Sequence, residues 1–278
     1  KAGNMETPTV KIVVTTHKEY RMPDDPMYIP MQVGAAIEKD ENGDPLDLGY
    51  LMDSTGDNIS DRNALYCELT GLYWAWKHMD ADYLGLVHYR RHFGSLKKIN
   101  SKDPFDHVIK SDELGPMLGQ YLVFVPKKRH YVIESLYSHY AHTHYVVHLY
   151  ETRGIIARRC PEYLETYDHV MKHYSGHMFN MMIMERTLMN EYCSWLFMIL
   201  SELDKRVNTS GLSFYQGRYC GRVGEIIFNV WLDYQVQSGR IRKDQVKELP
   251  YIYMEPVDYG RKTSSFLKAK FFHKKYEF

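Results

Sequence analysis

Ala81-Asp-Tyr-Leu-Gly-Leu-Val-His-Tyr-Arg-Arg-His-Phe93 joins an apolar run, Tyr83 to Val87, directly to a cluster of His88, Tyr89, Arg90, Arg91 and His92. An apolar run of that length between polar residues reads as a buried strand of an α/β sheet. Ligands of such sheets bind beyond the carboxyl ends of the strands. Two guanidiniums and two imidazoles at that edge suit an anion, because the planar fork of arginine matches phosphate oxygens. The alternative is that Arg90 and Arg91 pair with surface carboxylates.

Working outward, Val10-Lys-Ile-Val-Val-Thr-Thr16 is a β-branched first strand that ends in the polar Thr15-Thr-His-Lys18. Nucleotide-binding α/β domains begin in this way. Residues 20–60 are rich in Pro, Gly and Asp and read as loops around short strands. Asn63, Glu68, Leu69, Leu72, Tyr73 and Trp76 then recur at helical spacing, which predicts one helix from Asn63 to His78. Tyr121 to Pro126 and Met178 to Met184 read as further strands, residues 131–175 as helical and polar, Glu185 to Val207 as a strongly amphipathic helix and Gly221 to Val236 as another helix. The alternation predicts a single α/β domain over 5–260, a mostly parallel central sheet flanked by helices. Residues 1–4 read as an expression scar and 261–278 as a basic, aromatic tail.

Composition narrows the function classes. Thirty-five basic and 35 acidic residues cancel, so no global field favours nucleic acid and recognition must be local. Cys67, Cys160, Cys193 and Cys220 are scattered without a C-x-x-C pair, which favours buried free thiols in a reducing compartment. No run approaches the ~18 apolar residues of a membrane-spanning helix, so the chain is expected to be soluble and cytoplasmic. The tail mixes six Lys/Arg with five aromatics; it would allow peripheral contact with the inner face of a membrane, or pack as a terminal helix. G-x-G-x-x-G, Walker and G-x-S-x-G signatures are missing, against dinucleotide oxidoreductases, P-loop enzymes and acyl hydrolases.

Four constellations remain. His139, His142, His144 and His148 are dense, and helical spacing would set His144 and His148 on one face, as metal ligands could be; no cysteine or carboxylate completes the set, so a packed or solvated helix face is favoured. In Asp53-Ser-Thr-Gly-Asp-Asn-Ile-Ser60, helix capping accounts for Ser60 or Asp61 and leaves Asp53 and Asp57 for a ribose, a sugar or a cation. Glu68, inside an apolar helix, needs a partner, and an arginine of the Arg90–Arg91 edge is the candidate. Glu225 follows Gly224 at what reads as a helix start, where the dipole would keep a general base ionised; simple dipole complementarity is the alternative.

Together these segments resemble a bacterial family of capsular-polysaccharide and O-antigen glycosyltransferases, long catalogued as a domain of unknown function, some of whose members transfer galactofuranose. The resemblance runs from Lys11 to Tyr253. It rests on Lys11-Ile-Val-Val-Thr-Thr-His-Lys18, Tyr28-Ile-Pro-Met-Gln-Val-Gly-Ala35, Thr55-Gly-Asp-Asn-Ile-Ser60 and Cys67-Glu-Leu-Thr-Gly-Leu-Tyr-Trp-Ala-Trp-Lys77. It continues through Leu84-Gly-Leu-Val-His-Tyr-Arg-Arg91, Phe179-Asn-Met-Met-Ile-Met184, Glu191-Tyr-Cys-Ser-Trp-Leu-Phe197 and the stretch from Arg218 to Leu232.

The resemblance implies a GT-A-like nucleotide-diphospho-sugar fold in which a sugar, galactofuranose, moves from a UDP-linked donor to a saccharide hydroxyl, on an acceptor that can be lipid-linked. It implies that Thr15, Thr16, His17, Gln32, Gly34 and Asn63 hold the nucleotide, with His88, Tyr89, Arg90 and Arg91 on the diphosphate. Asp57 and Asn58 would hold donor sugar or ribose, Asn180 and Met181 would line the acceptor side, and Glu225 would be the base of an inverting transfer. Where the family fold carries an Asp-x-Asp for Mn or Mg, this chain has His88-Tyr89-Arg90, whose cations would offset diphosphate charge themselves. Metal use therefore rests on Asp53 and Asp57. Arg222 and Ile226 also depart from the usual pattern. Rival readings are a noncatalytic nucleotide- or glycan-binding module and a nucleotide-sugar hydrolase or pyrophosphorylase.

Overall fold

A computed structural model describes residues 7–256; the expected expression scar at 1–4 and the tail at 261–278 lie outside the described residues. The strands are β1 (Val10–Thr16), β2 (Tyr28–Gln32), β3 (Leu51–Met52), β4 (Tyr83–His88), β5 (Arg91–Phe93), β6 (Val123–Pro126), β7 (Arg129–His130), β8 (Ser175–Gly176), β9 (Met182–Glu185), β10 (Val246–Leu249) and β11 (Tyr251–Tyr253). The helices are α1 (Asn63–Tyr66), α2 (Leu69–His78), α3 (Ser111–Leu114), α4 (Leu136–Thr143), α5 (Val147–Arg159), α6 (Leu164–Val170), α7 (Arg186–Arg206) and α8 (Tyr219–Gln237).

The main sheet runs β10-β6-β9-β4-β1-β2-β3, with β5 pairing β4 and β11. β1, β2, β3 and β4 are mutually parallel, as are β10 and β6, while β9 is inserted antiparallel between β6 and β4. Ile12, Val13 and Val14 of central β1 are fully buried, which is why its pattern is continuous rather than alternating. Thr15 pairs with His88 and Thr16 with Gln32, so the carboxyl ends of β1, β2 and β4 share one edge. Since β9 runs the other way, the loop before it, residues 178–181, arrives at that same edge.

The stretch Met178 to Met184 is not one strand: β9 begins at Met182, and Phe179 and Asn180 carry positive φ angles of 78° and 51°. Nor is 63–78 one helix. Cys67, at φ 55°, breaks it into α1 and α2. Such conformations cost on the order of 1–3 kcal/mol per residue and persist only where the surroundings enforce them. Gly221 is part of that enforcement. A Cβ there would lie 2.9 Å from Cys67 Sγ and 3.2 Å from the Tyr66 carbonyl oxygen, so only glycine lets α8 press against the break. All four cysteines are buried free thiols.

Candidate functional site

A cavity of about 170 Å³ opens at the carboxyl edge of β1 and β4. Its walls are Thr15, Thr16 and His17 after β1, His88, Tyr89, Arg90 and Arg91 after β4, Val33 and Asn63, then Cys67 and Glu68 at the helix break, and Arg218 at the head of α8. Three guanidiniums therefore face one carboxylate. Thr15 and Thr16 are tied down, their hydroxyls donating to the carbonyls of Val87 at 3.2 Å and Lys18 at 2.6 Å. His17 is exposed, its ring edge-on to Tyr89. Asn63 donates to the Cys67 carbonyl and to Thr70 Oγ1, at 2.8 and 3.0 Å, and so fixes the helix break.

The chain reverses at Tyr89-Arg90, because His88 pairs with Arg91 in an antiparallel step. That reversal separates the two arginines. Arg90 is solvent-exposed, 3.8 Å from Glu255. Arg91 lies over the rings of Phe179 at 3.9 Å and Tyr253 at 4.8 Å, a placement that orients its fork without neutralising it. His92 is corrected out of the anion site: it is fully buried beside Tyr28, and burial lowers its pKa to about 4.

Across the cavity, the turn at Phe179–Asn180 is held from several sides. His88 Nε2 donates to the Phe179 carbonyl at 2.5 Å. Asn180 Nδ2 donates to Glu68 Oε1 at 2.7 Å and to the Gly221 carbonyl at 3.0 Å. The partner of Glu68 is thus Asn180, where an arginine was expected. Burial lowers the pKa of His88, opposed by Glu68 and reinforced by Arg91, so the ring is a neutral donor. Met181 is 1% exposed and belongs to the core, not to an acceptor surface.

Glu225 does not open its helix. α8 begins at Tyr219, so Glu225 lies in the second turn and the dipole argument fails. Burial raises its pKa, the Glu68 carboxylate adds to the rise, and the Phe179 backbone N–H, Arg129 and Arg91 oppose it. Two carboxylates thus flank one strained turn, and their environments push Glu225 toward stronger basicity.

Five other expected residues lie elsewhere. Gln32 is fully buried and braces the loop after it, donating to the Leu46 carbonyl at 2.8 Å and accepting from the Leu48 N–H at 3.0 Å. Gly34 has φ 68°, and a Cβ there would meet Asn63 Oδ1 at 2.9 Å; it shapes the wall from behind. Asp53 is fully buried and accepts from the N–H groups of Gly34 and Ala35 and the hydroxyls of Ser60 and Thr70. Asp57 is exposed on the outer side of α2, accepting from the Tyr73 hydroxyl at 2.9 Å with Lys77 at 3.6 Å. Asn58 donates to the carbonyls of Ser54 and Gly56 and knits its own loop.

These placements decide how the site fits a divalent metal. Cations stand where Asp-x-Asp would be, Asp53 is sealed behind four donors, and Asp57 points away. Among the described residues no group of three or more His, Cys, Asp or Glu side chains is arranged to hold a metal ion. The residues present do not fit one. The histidine group is structural: His139 and His142 meet the buried Glu134, His144 caps the end of α4 and faces Gln216, and His148 stacks on Tyr219 at 4.5 Å.

Arg218, Cys67 and Val33 line the cavity without a role having been read from sequence. A usable signal existed for Arg218. A cation at a helix N-terminus opposes the helix dipole, so its presence before the apolar α8 calls for an anion. Its Nε lies 3.1 Å from Cys67 Sγ.

A family described as a domain of unknown function, DUF4422, matches residues 11–236. Among solved structures, the apo structure of the bifunctional glycosyltransferase WbbM is similar, with a TM-score of 0.78 and 28% identity over 89% of this chain. The chain spans 46% of that protein's length. No curated protein matches. The fold is the GT-A-like α/β arrangement, with a mostly parallel sheet flanked by helices.

Proposed function

The chain belongs to the DUF4422 family, and on that premise we propose that it is a glycosyltransferase of polysaccharide synthesis, moving a sugar from a UDP-linked donor to a saccharide hydroxyl. The observation that carries this reading is the cavity with three guanidiniums at the carboxyl edge of β1 and β4, beside two carboxylates joined by the Phe179–Asn180 turn. The likeness to one part of a bifunctional glycosyltransferase supports it.

Arg91, pre-oriented by its aromatic neighbours, and Arg218 hold the diphosphate, with Arg90 adding charge from solvent. In the transfer, the acceptor oxygen bonds to the anomeric carbon as the bond from that carbon to the phosphate oxygen breaks. UDP departs with the electron pair, its growing charge met by the guanidiniums. The acceptor proton passes to Glu225, whose raised pKa makes it a better base than an exposed carboxylate. Attack from the face opposite UDP inverts the anomeric configuration. Glu68 positions the turn through Asn180. No step is routed through a metal. UDP-galactofuranose is the first donor to test, on the resemblance of Leu84 to Arg91 and its companion segments.

A thermal shift series tests the donor class. UDP is expected to raise the melting temperature well above ADP or GDP at equal concentration, by mass action. No stabilisation by UDP at millimolar concentration would overturn the reading.

A further inference from the structure

We propose that the segment 127–174 carries a docking surface for an anionic lipid bilayer, separate from the cavity and independent of whether the chain transfers a sugar. Ten large hydrophobic side chains are exposed among the described residues, and six of them fall in this segment. Val132 and Ile133 stand at its tip, 85% and 62% exposed, with Tyr174 at 58%. They form one patch: the Tyr131 N–H donates to the Tyr174 carbonyl, the Leu136 N–H to the His173 carbonyl, and β7 pairs with β8 beneath them. An exposed pair of aliphatic residues at a loop tip has no role in packing the fold, and among the described residues the other exposed large hydrophobics do not repeat such an adjacent pair.

Charge identifies the occupant. Lys127, Lys128 and Lys172 are exposed, and none makes an ion pair among the described residues. Lys127 and Lys128 directly precede β7, and Lys172 lies three residues before its partner strand β8, so these cations flank the apolar tip. Of the carboxylates nearby, Asp168 is engaged by Arg153 in a two-pronged bond and Glu134, buried, by His139 and His142, while Asp233 acts on His173 and, with Glu248, on His177. Apolar side chains flanked by free ammonium groups match the boundary between lipid headgroups and acyl chains. Behind the tip, a cavity of about 360 Å³ walled by Tyr137, Leu149, Tyr150, Tyr167 and Met171 has Lys172 at its rim, which suits the apolar part and phosphate of one lipid molecule.

The test is co-sedimentation of the full 278-residue chain with vesicles of phosphatidylcholine alone and of phosphatidylcholine with about a third phosphatidylglycerol. Binding is expected only to the anionic vesicles and should weaken with salt. Lys127→Gln, Lys128→Gln and Lys172→Gln combined should weaken it by roughly a hundredfold, about fivefold per cation. Val132→Ser with Ile133→Ser should weaken it by about tenfold or more, while the thermal melting point stays unchanged. A second measurement places an environment-sensitive fluorophore at Val132→Cys in the chain, where anionic vesicles should shift the emission to the blue. Absence of binding, equal binding to neutral vesicles, full binding by either variant, or no emission shift would overturn the proposal. So would a vesicle-free dimer abolished by the serine pair, which would assign the patch to a second copy of this chain.

Discussion

Replacing Arg91 by alanine separates phosphate recognition from mere packing, because Arg90 beside it provides an internal control. The Arg91 side chain is held over Phe179 and Tyr253 at 3.9 and 4.8 Å, so its hydrogen bonds to a diphosphate form with little ordering cost and in a partly desolvated place. A charge-assisted bond there contributes about 1.5–3 kcal/mol. Arg91→Ala should therefore weaken UDP by roughly 10- to 150-fold, and uridine hardly at all. Arg90, with a side chain 55% exposed and a loose contact to Glu255, works in nearly bulk dielectric, where a charge pair is worth about 1 kcal/mol; its loss should cost UDP roughly fivefold. Arg91→Lys keeps the charge but loses the fork and the stacking, and should fall between wild type and Arg91→Ala. Isothermal titration with UDP and with uridine reads all three. Added salt should shrink the Arg90 effect more than the Arg91 effect. An equal loss of UDP and uridine in Arg91→Ala would show that the residue only supports the Phe179 turn, and would refute the clamp.

Further outcomes follow from the two carboxylates and the two aspartates. Glu225→Gln should cut turnover by about 10²-fold or more with UDP affinity kept. Because the folded state raises the Glu225 pKa, ionising it costs stability as pH climbs from the ordinary carboxylate value to the raised one. The glutamine variant should therefore melt higher than wild type above that window and no higher below it; an equal difference at all pH values would contradict the burial argument. Glu68→Gln removes the like charge and should move the acid limb of the kcat/KM profile to lower pH, and an unmoved limb would place Glu225 outside the reaction. Asp53→Ala leaves buried donors unpaired and should cost about 3 kcal/mol or more in denaturant unfolding, whereas exposed Asp57→Ala should change stability by about 0.5 kcal/mol or less and leave UDP affinity intact. Loss of UDP binding in Asp57→Ala would return that loop to the donor site.

The parts of the fold written in one continuous stretch were legible in the sequence. β1 has the bounds its β-branched run implied, and the cationic cluster after β4 lies at a strand edge because a buried run must end where the charges begin. The break at Cys67 was not legible, since the apolar period continues in phase on both sides and the cause, the approach of Gly221, is far away in sequence. Glu225 was misplaced for a related reason. Gly224 looks like a helix boundary, but a Cβ there would meet Leu69 Cδ1 at 2.7 Å, so its role is close packing inside α8. In the loop 53–60 the two aspartates look alike, and only Gly34, Ser60 and Thr70 converging on one of them make Asp53 the buried organiser and leave Asp57 outside. Strand direction was equally silent: nothing local in Met182–Glu185 distinguishes an antiparallel strand, yet that reversal brings Asn180 to the cavity.

The most direct measurement of the central claim is UDP release from UDP-galactofuranose, with and without a saccharide acceptor, by wild type and Glu225→Gln, in the presence of EDTA. Wild type should show acceptor-dependent release, a product linkage of inverted anomeric configuration and activity that survives EDTA, with a loss of about 10²-fold in the variant. Release at the same rate without acceptor would make the chain a hydrolase. Undiminished turnover by a folded Glu225→Gln protein, or complete loss in EDTA restored by manganese, would contradict the mechanism drawn from this site.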